Sequence, residues 1–283
     1  VPLVLLATFN LLPDGEFGGE TLTAALAERG IDARWEVWDD PEVDWAAADL
    51  VVVRATWDYQ RRCEEFLTWV RAVEEHTPVL NGGAEVFAWN ADKAYLLELA
   101  AEVAVVPTLL VGNRTLVPDL EAALAAFGPI VVKPRTGASG VGVLVIAHRQ
   151  DPALQGLVLP PWVAQPVVES VRTQGETSVY VIDGHPVAQL HKQPSGDEIR
   201  VHELYGGATR EVPVEPAAAQ AALAAMAATE RVLGRSLDYG RIDLMAYDGG
   251  LVVSEVELIE PGLYLDVSST TAGPFADLVA SRL

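Results

Sequence analysis

Lysine is almost missing from this chain. Of nineteen basic residues only Lys93, Lys133 and Lys192 are lysines, and the other sixteen are arginines. Cysteine is rarer still. The single thiol, Cys63, cannot form an internal disulfide, which makes a reducing cytoplasm the expected compartment. Positive charge as a whole is in deficit: forty acidic against nineteen basic residues leave a formal charge of −21. That balance opposes non-specific attraction to nucleic acid or to an anionic membrane, so neither is expected as a partner, and any polyanionic ligand must be drawn by local charge. No apolar run reaches membrane-spanning length, and the short apolar opening Val1-Pro-Leu-Val-Leu-Leu-Ala7 lacks a basic leader and reads as a first buried strand. The five histidines are scattered, and none stands beside the cysteine at a zinc-binding spacing.

What remains is enough for a sizeable core and two or three lobes of roughly 100 residues each. Residues 1–90 alternate short apolar runs with amphipathic stretches, with strands expected near 2–8, 32–38, 49–54 and 78–81 and helices near 19–29 and 60–75. This βα alternation implies a mostly parallel sheet. Short helices near 84–89 and 91–101 lead into residues 105–165, read as a small α+β lobe with a helix near 118–126 and strands near 129–133 and 142–146. Residues 166–283 are strand-rich. Asp183-Gly184 and Asp248-Gly-Gly250, each flanked by alternating apolar residues, mark two hairpins, and an Ala-rich helix near 215–233 separates them. Gln150 to Pro161 is the expected loop, and no repeat at solenoid periods is present.

Several phosphate and hydrolase motifs are absent. There is no G-x-x-x-x-G-K-[ST]; the first βα junction holds Gly15, Gly18 and Gly19 without G-x-G-x-x-G; and Ser139 fails the G-x-S-x-G pattern. His191 and His202 sit on expected strands and take structural roles. Lys133, by contrast, ends the run Ile130-Val-Val-Lys133-Pro134 and precedes Thr136-Gly-Ala-Ser-Gly-Val-Gly142, a glycine-rich turn able to bring backbone N–H groups close to phosphate. A chain that otherwise uses arginine keeps lysine where a compact point charge is wanted. In the second hairpin, side chains two apart share a face, so Arg241 and Asp243 project together from one strand and Glu255 and Glu257 from its partner. Three carboxylates and a guanidinium on one face suit Mg²⁺, which takes a few carboxylates and completes its shell with water and nucleotide phosphates.

Trp89-Asn-Ala-Asp-Lys93, the Lys133 loop, Ala164-Gln-Pro-Val-Val168 and the closing Arg-x-Asp…Glu-x-Glu together resemble the ATP-grasp ligase superfamily over roughly residues 85–265. The resemblance implies an α/β chain with an ATP-grasp fold: an N-terminal parallel βα domain (1–90), a central lid lobe (91–165) and a C-terminal lobe with the metal site (166–283), the last two clamping ATP. It implies that Lys93 and Lys133 grip the phosphates and that Gly137, Ser139, Gly140 and Gly142 form a mobile lid. Gln165, Val167 and Val168 would be the adenine hinge, Glu176 the ribose carboxylate, and Asp243 and Glu255 the metal ligands. Glu257 stands where many members have Asn, an extra negative charge. Val53-Arg-Ala-Thr-Trp-Asp-Tyr59, His191-Lys-Gln-Pro-Ser-Gly-Asp-Glu-Ile-Arg200 and Glu255-Val-Glu-Leu-Ile-Glu-Pro261 are similar to the branch containing the cycloserine synthetase, which cyclises O-ureido-D-serine.

The activity so implied is ATP- and Mg²⁺-dependent activation of a small amino-acid carboxylate as an acyl phosphate. Arg241 would balance phosphate charge, and Arg200, with Lys192, would stabilise the acyl phosphate. Arg54, Thr56, Asp58 and Tyr59 follow the strand Leu50-Val-Val-Val at its carboxyl end, where open α/β sheets place ligands. There Arg54 could meet a substrate carboxylate and Asp58 an ammonium, or Asp58 could cap a helix while Trp57 and Tyr59 pack. On the first reading Arg54→Ala impairs substrate binding and spares nucleotide affinity. The alternatives are an intermolecular amino-acid or peptide ligase, a kinase on the same fold, and a nucleotide-binding regulator. Trp35, Trp38 and Trp45 offer either a homodimer patch or core packing.

Overall fold

The computed structural model describes all 283 residues. A three-stranded parallel sheet comes first, built from β1 (Leu3–Thr8), β2 (Asp32–Val37) and β3 (Leu50–Ala55) in the order β2-β1-β3, with α1 (Gly19–Glu28) linking the first two. The central β1 and its neighbour β3 are apolar almost throughout because both their faces are covered, whereas the edge strand β2 carries Asp32, Arg34 and Glu36. Helix α2 (Cys63–Glu74) buries Phe66, Leu67, Val70 and Val73, one stripe at helical spacing.

The strand expected near 78–81 is a single bridge, Val51 to Val79. Asn81, Gly82 and Gly83 all take positive φ (65°, 83° and 60°), which turns the chain there. Helix α3 (Gly83–Asn90) follows, and α4 is shorter than expected, Tyr95–Leu99. The Asp92 carboxylate accepts from Ala94 N (2.9 Å) and Lys93 N donates to Arg135 O (2.9 Å), so residues 92–94 serve a turn rather than a helical ladder.

Next comes a four-stranded antiparallel sheet of order β4-β7-β5-β6, made of β4 (Leu109–Val111), β5 (Ile130–Pro134), β6 (Leu144–Ile146) and β7 (Trp162–Pro166), with α5 (Leu116–Phe127) against it. After the short α6 (Ser170–Gln174), strands β8 (Glu176–Ile182), β9 (His185–Gln193), β10 (Ala208–Val212), β11 (Tyr239–Tyr247) and β12 (Gly250–Glu257) form an antiparallel sheet of order β10-β9-β8-β11-β12. Its hairpins turn where the sequence places them, with positive φ at Asp183 and Gly184 and again at Asp248 and Gly249. Helix α7 (Pro216–Leu233) opens on proline, ends at Gly234 in the left-handed region, and packs its alanines on this sheet. A final helix, α8 (Ala272–Ser281), carries Gly273 and Pro274 in its first turn, which masks it in the sequence.

The cores are unequal. The two largest clusters each join residues of the parallel sheet to residues of the five-stranded sheet: Ala7 and Val53 meet Val256 and Leu258 in one, and Val4 and Leu22 meet Tyr180 and Phe275 in the other. The four-stranded sheet has its own small core of eight buried residues between Val111 and Ala164. Of the tryptophans weighed for a dimer patch, Trp38 is buried against Phe66 and Trp69, Trp45 packs edge-on against Trp69, and Trp35 lies where a β-carbon on Gly15 or Gly19 would stand. All three go to internal packing.

Candidate active site

The register of the second hairpin sets Arg241 opposite Glu257 and Asp243 opposite Glu255, on adjacent strands and one face. On the other side of β11, Asp243 faces Ser178 of β8, and Glu176 of β8 faces Lys192 of β9. Four strands therefore deliver seven polar side chains to one patch. Arg241 donates from Nε and Nη2 to the two oxygens of Asp243 (both 2.9 Å) and from Nη2 to Glu257 Oε1 (2.5 Å). Ser178 Oγ donates to Asp243 Oδ1 (2.6 Å). Lys192 Nζ stands 3.6 Å from Glu176 and 3.9 Å from Asp243, above the ring of Tyr264.

Two lysines close the patch from outside this sheet. Lys93 Nζ lies 2.7 Å from Glu255 Oε1 and donates to Gly137 O (2.7 Å), joining the turn before α4 to both the hairpin and the glycine-rich loop. Arg135 grips Asp92 with both ends of its fork, Nε to Oδ1 at 2.7 Å, which fixes that turn against β5. Lys133 lies on β5 within the field of Glu255, Lys93, Glu176 and Asp243.

Glu176, Asp243, Glu255, Glu257 and Glu260 thus gather beside Lys93, Lys133, Lys192 and Arg241, five acids against four bases. Burial pushes Glu176 up to about 7, Asp243 adding to it, and burial likewise pushes Glu257 up to about 7 against the pull of Arg241. Burial also opposes the charge on Asp243, yet Arg241 and Lys192 hold it well below the usual carboxylate range. Lys93 and Lys133 similarly outweigh burial at Glu255 and keep it low. Burial lowers Lys133 from its ordinary value. Negative charge is in excess, the donors are hard oxygens, and no three of them converge into a closed cage. A Mg²⁺ ion that leaves most of its shell to phosphates and water fits such a donor set.

The glycine-rich loop between β5 and β6 takes positive φ at Ser139, Gly140 and Gly142 (52°, 68° and 73°). A β-carbon on Gly140 would stand 3.0 Å from Tyr205 and 3.2 Å from Arg200, so only glycine lets the loop lie this close to the 194–207 segment. Arg200 stacks on Tyr205 and pairs with Glu198 (2.5 Å), so it forms the wall facing that loop and is not part of the charged patch. Gln165 donates to Thr108 Oγ1 (2.9 Å), Val167 N donates to Pro129 O (3.4 Å), and Val168 packs with Val106 and Val252, which places this strand end between the two antiparallel sheets.

The substrate residues expected after β3 divide. Arg54 is fully buried: Nε and Nη2 reach Glu16 Oε1 (3.1 and 2.9 Å) and Nη2 reaches Pro261 O (2.7 Å), under the rings of Phe275 and Tyr239. Asp58 accepts from Trp38 Nε1 (3.0 Å) and Arg62 Nη2 (2.5 Å). The expectation that Arg54 and Asp58 present free charges to a ligand is therefore corrected, because internal carboxylate and guanidinium partners pair with both, Arg54 keeping only Nη1 without a partner. Thr56 and Tyr59 are buried as well, and Thr56 Oγ1 has no partner.

Sequence reasoning missed the frame around the hairpin. Tyr95 Oη bridges Val256 N and O (2.8 and 3.1 Å), Asn90 spans Val256 O and Leu258 N, and Asn81 binds four backbone groups of residues 238, 239 and 258. It also missed Ser178, though a step of two from Glu176 along a strand points to it.

A lysine-lined charged patch on one antiparallel sheet, closed by a glycine-rich loop from a second, is the arrangement of an ATP-grasp ligase. A structure of the ATP-grasp ligase PsnB complexed with minimal precursor, Mg and ADP superposes with a TM-score of 0.64 at 17% identity, covering 99% of this chain and 98% of that one. The crystal structure of D-cycloserine synthetase DcsG superposes more closely, with a TM-score of 0.87 at 31% identity over 99% of each chain. Residues 4–81 match the family described as the D-cycloserine synthetase DcsG N-terminal domain. The cycloserine biosynthesis protein DcsG of Streptomyces lavendulae is 33% identical over 278 residues, 93% of this chain and 92% of its own length. The chain belongs to the DcsG family of ATP-grasp enzymes. It is an ATP-dependent ligase that forms carbon–nitrogen bonds, and ATP and Mg²⁺ are its cofactors.

Proposed function

We propose that this enzyme activates the carboxylate of a small amino-acid derivative and closes O-ureido-D-serine into D-cycloserine. The observation that carries this reading is the charged patch of β8, β9, β11 and β12, set in a chain similar to the Streptomyces protein over nearly its whole length. A carboxylate at neutral pH repels nucleophiles and holds a poor leaving group. Attack of one carboxylate oxygen on the γ-phosphorus of ATP forms the acyl–phosphate bond, breaks the bond to the β-phosphate and releases ADP. The oxygen-bound ureido nitrogen then attacks the acyl carbon and gives up its proton, phosphate departs as the ring closes, and addition of water removes the carbamoyl group as carbon dioxide and ammonia.

In this reading Lys93 and Lys133 hold the phosphates, and the loop of Gly137, Ser139, Gly140 and Gly142 closes over them and excludes water. Gln165, Val167 and Val168 read the adenine edge, and Glu176 lies at the ribose end. Asp243, Glu255 and Glu257 would hold Mg²⁺, which would supply positive charge to offset that of the phosphates. Arg241 stabilises the transferring phosphate, with Lys192 behind it, and Arg200 closes on the acyl phosphate from the 194–207 wall. The lobes 1–90, 91–165 and 166–283 act as substrate platform, lid and metal-bearing base. The small separate core of the central sheet and the shared cores of the other two support that division.

ADP release with Mg-ATP and O-ureido-D-serine, with the product identified by mass spectrometry and Lys133→Ala as control, tests the reading. A cyclised product absent from the control is expected. Coupling of a different acid to an external amine would keep the ligase and overturn the cyclisation.

A further inference from the structure

Glu260 is 8% exposed, and its carboxylate makes no hydrogen bond and no ion pair. Every other strongly buried acid in the patch has a partner; this one does not. Its backbone is held from several sides. Trp57 Nε1 donates to Glu260 O (3.3 Å), Tyr239 Oη to Ile259 O (3.2 Å), Arg54 to Pro261 O (2.7 Å) and Tyr180 Oη to Gly262 O (2.6 Å). The backbone that carries Glu260 is therefore held, at a position where a buried carboxylate is costly unless something charged meets it.

Two more unpartnered oxygens lie on the segment that Trp57 ties to it. Thr56 Oγ1 and Gln60 Oε1 are both buried without a hydrogen-bond partner. A carboxylate, an amide oxygen and a hydroxyl on these two segments are left unmatched against one unmatched donor, Arg54 Nη1, so the set is short of donors. Glu260 also lies in the field of Glu257, Arg241, Arg54 and Lys93, and it acts in turn on Tyr59, which links the charged patch to the end of β3. Only three residues separate it from Glu257, at most about 10 Å of chain.

We infer that Glu260, with Thr56 and Gln60, forms the subsite that binds the substrate's α-ammonium group, so the enzyme selects α-amino acids over α-hydroxy or deaminated acids. This rests on the ligase reading above. A primary ammonium offers three donors and one positive charge, which matches the unmatched acceptors. An uncharged analogue leaves the carboxylate buried and alone, the condition under which polar sites discriminate by several orders of magnitude.

The test compares O-ureido-D-serine with its α-hydroxy analogue in wild type, Glu260→Gln and Thr56→Val, and measures D-cycloserine binding to each Mg-ADP complex by calorimetry. Wild type is expected to prefer the amino substrate at least 100-fold in kcat/KM. In Glu260→Gln that preference collapses through loss of the amino substrate alone, D-cycloserine binding weakens at least tenfold, and Mg-ADP affinity stays within threefold. Thr56→Val shows a smaller change of the same kind. Equal loss for both substrates, or no preference in wild type, overturns the inference. If wild type turns over neither compound, the cyclisation reading falls, and the inference is decided by binding: it stands if Glu260→Gln weakens D-cycloserine relative to wild type, and falls if the two proteins bind it equally or not at all.

Discussion

Breaking the Arg54–Glu16 pair is expected to cost stability first and catalysis second. The side chains of Arg54 and Glu16 are 0% and 2% exposed, and their fork is completed by Pro261 O on one side and Leu263 N, which donates to Glu16 Oε2 at 2.8 Å, on the other. Glu16→Gln leaves a guanidinium with no counter-charge in a fully buried position, a change that typically costs about 3–5 kcal/mol. Arg54→Met leaves Glu16 equally alone and strips Pro261 O of its donor, which adds about 1–3 kcal/mol for an unsatisfied buried acceptor. The double variant Arg54→Met/Glu16→Leu removes both charges together, so its loss should be smaller than that of either single change. Urea denaturation followed by circular dichroism reads this directly. With an m-value of about 3 kcal/mol/M, each single variant should shift the midpoint down by about 1 M or more, and the double variant should recover part of that shift. Single variants with the wild-type midpoint but a raised KM for the carboxylate substrate would refute the reasoning and return Arg54 to the role of a substrate ligand.

Lys133→Ala should lower kcat by about 10²-fold or more, as loss of one preorganised charge donor commonly does, with thermal stability unchanged or slightly raised because burial disfavours this ammonium. Gly140→Ala sets a β-carbon 3.0 Å from Tyr205 at φ 68°, a conformational cost of about 1–2 kcal/mol for a non-glycine residue; a raised KM for ATP and a urea midpoint lowered by about 0.3–0.7 M are expected. Asn81→Ala removes two donors and two acceptors that serve four backbone groups, so a loss of about 2–4 kcal/mol should appear in the same denaturation assay, and nucleotide binding should weaken with it.

The pattern of what was legible follows the physics. Hairpin turns at Asp183-Gly184 and Asp248-Gly249 need positive φ, which few residues accept, so the turns, the register across β11 and β12 and the shared face of Arg241, Asp243, Glu255 and Glu257 were readable from composition and period alone. The roles expected for Arg54 and Asp58 were not, because a charged residue at the carboxyl end of a strand looks the same whether it faces a ligand or a partner. The deciding residues, Glu16, Trp38 and Pro261, lie up to 207 positions away. Helix α8 was hidden by Gly273 and Pro274, and the strand near 78–81 was expected because Pro-Val-Leu reads as extended when the turn after it is overlooked. Cross-strand pairing with Glu176 puts Lys192 inside the patch, a contact local periodicity does not encode.

Helix α8 packs on α1, and Phe275, Ala276, Leu278 and Val279 share one core with Leu22 and Leu26. About 250 residues separate these partners, which at typical synthesis speeds is roughly 10–50 s of waiting. Throughout that interval the parallel sheet has an apolar face with no native cover, so it must be shielded by chaperones or by transient contacts. The beginning of the chain is thus completed by its far end. Removing residues 272–281 should loosen α1 and the parallel sheet well before it disturbs the lid.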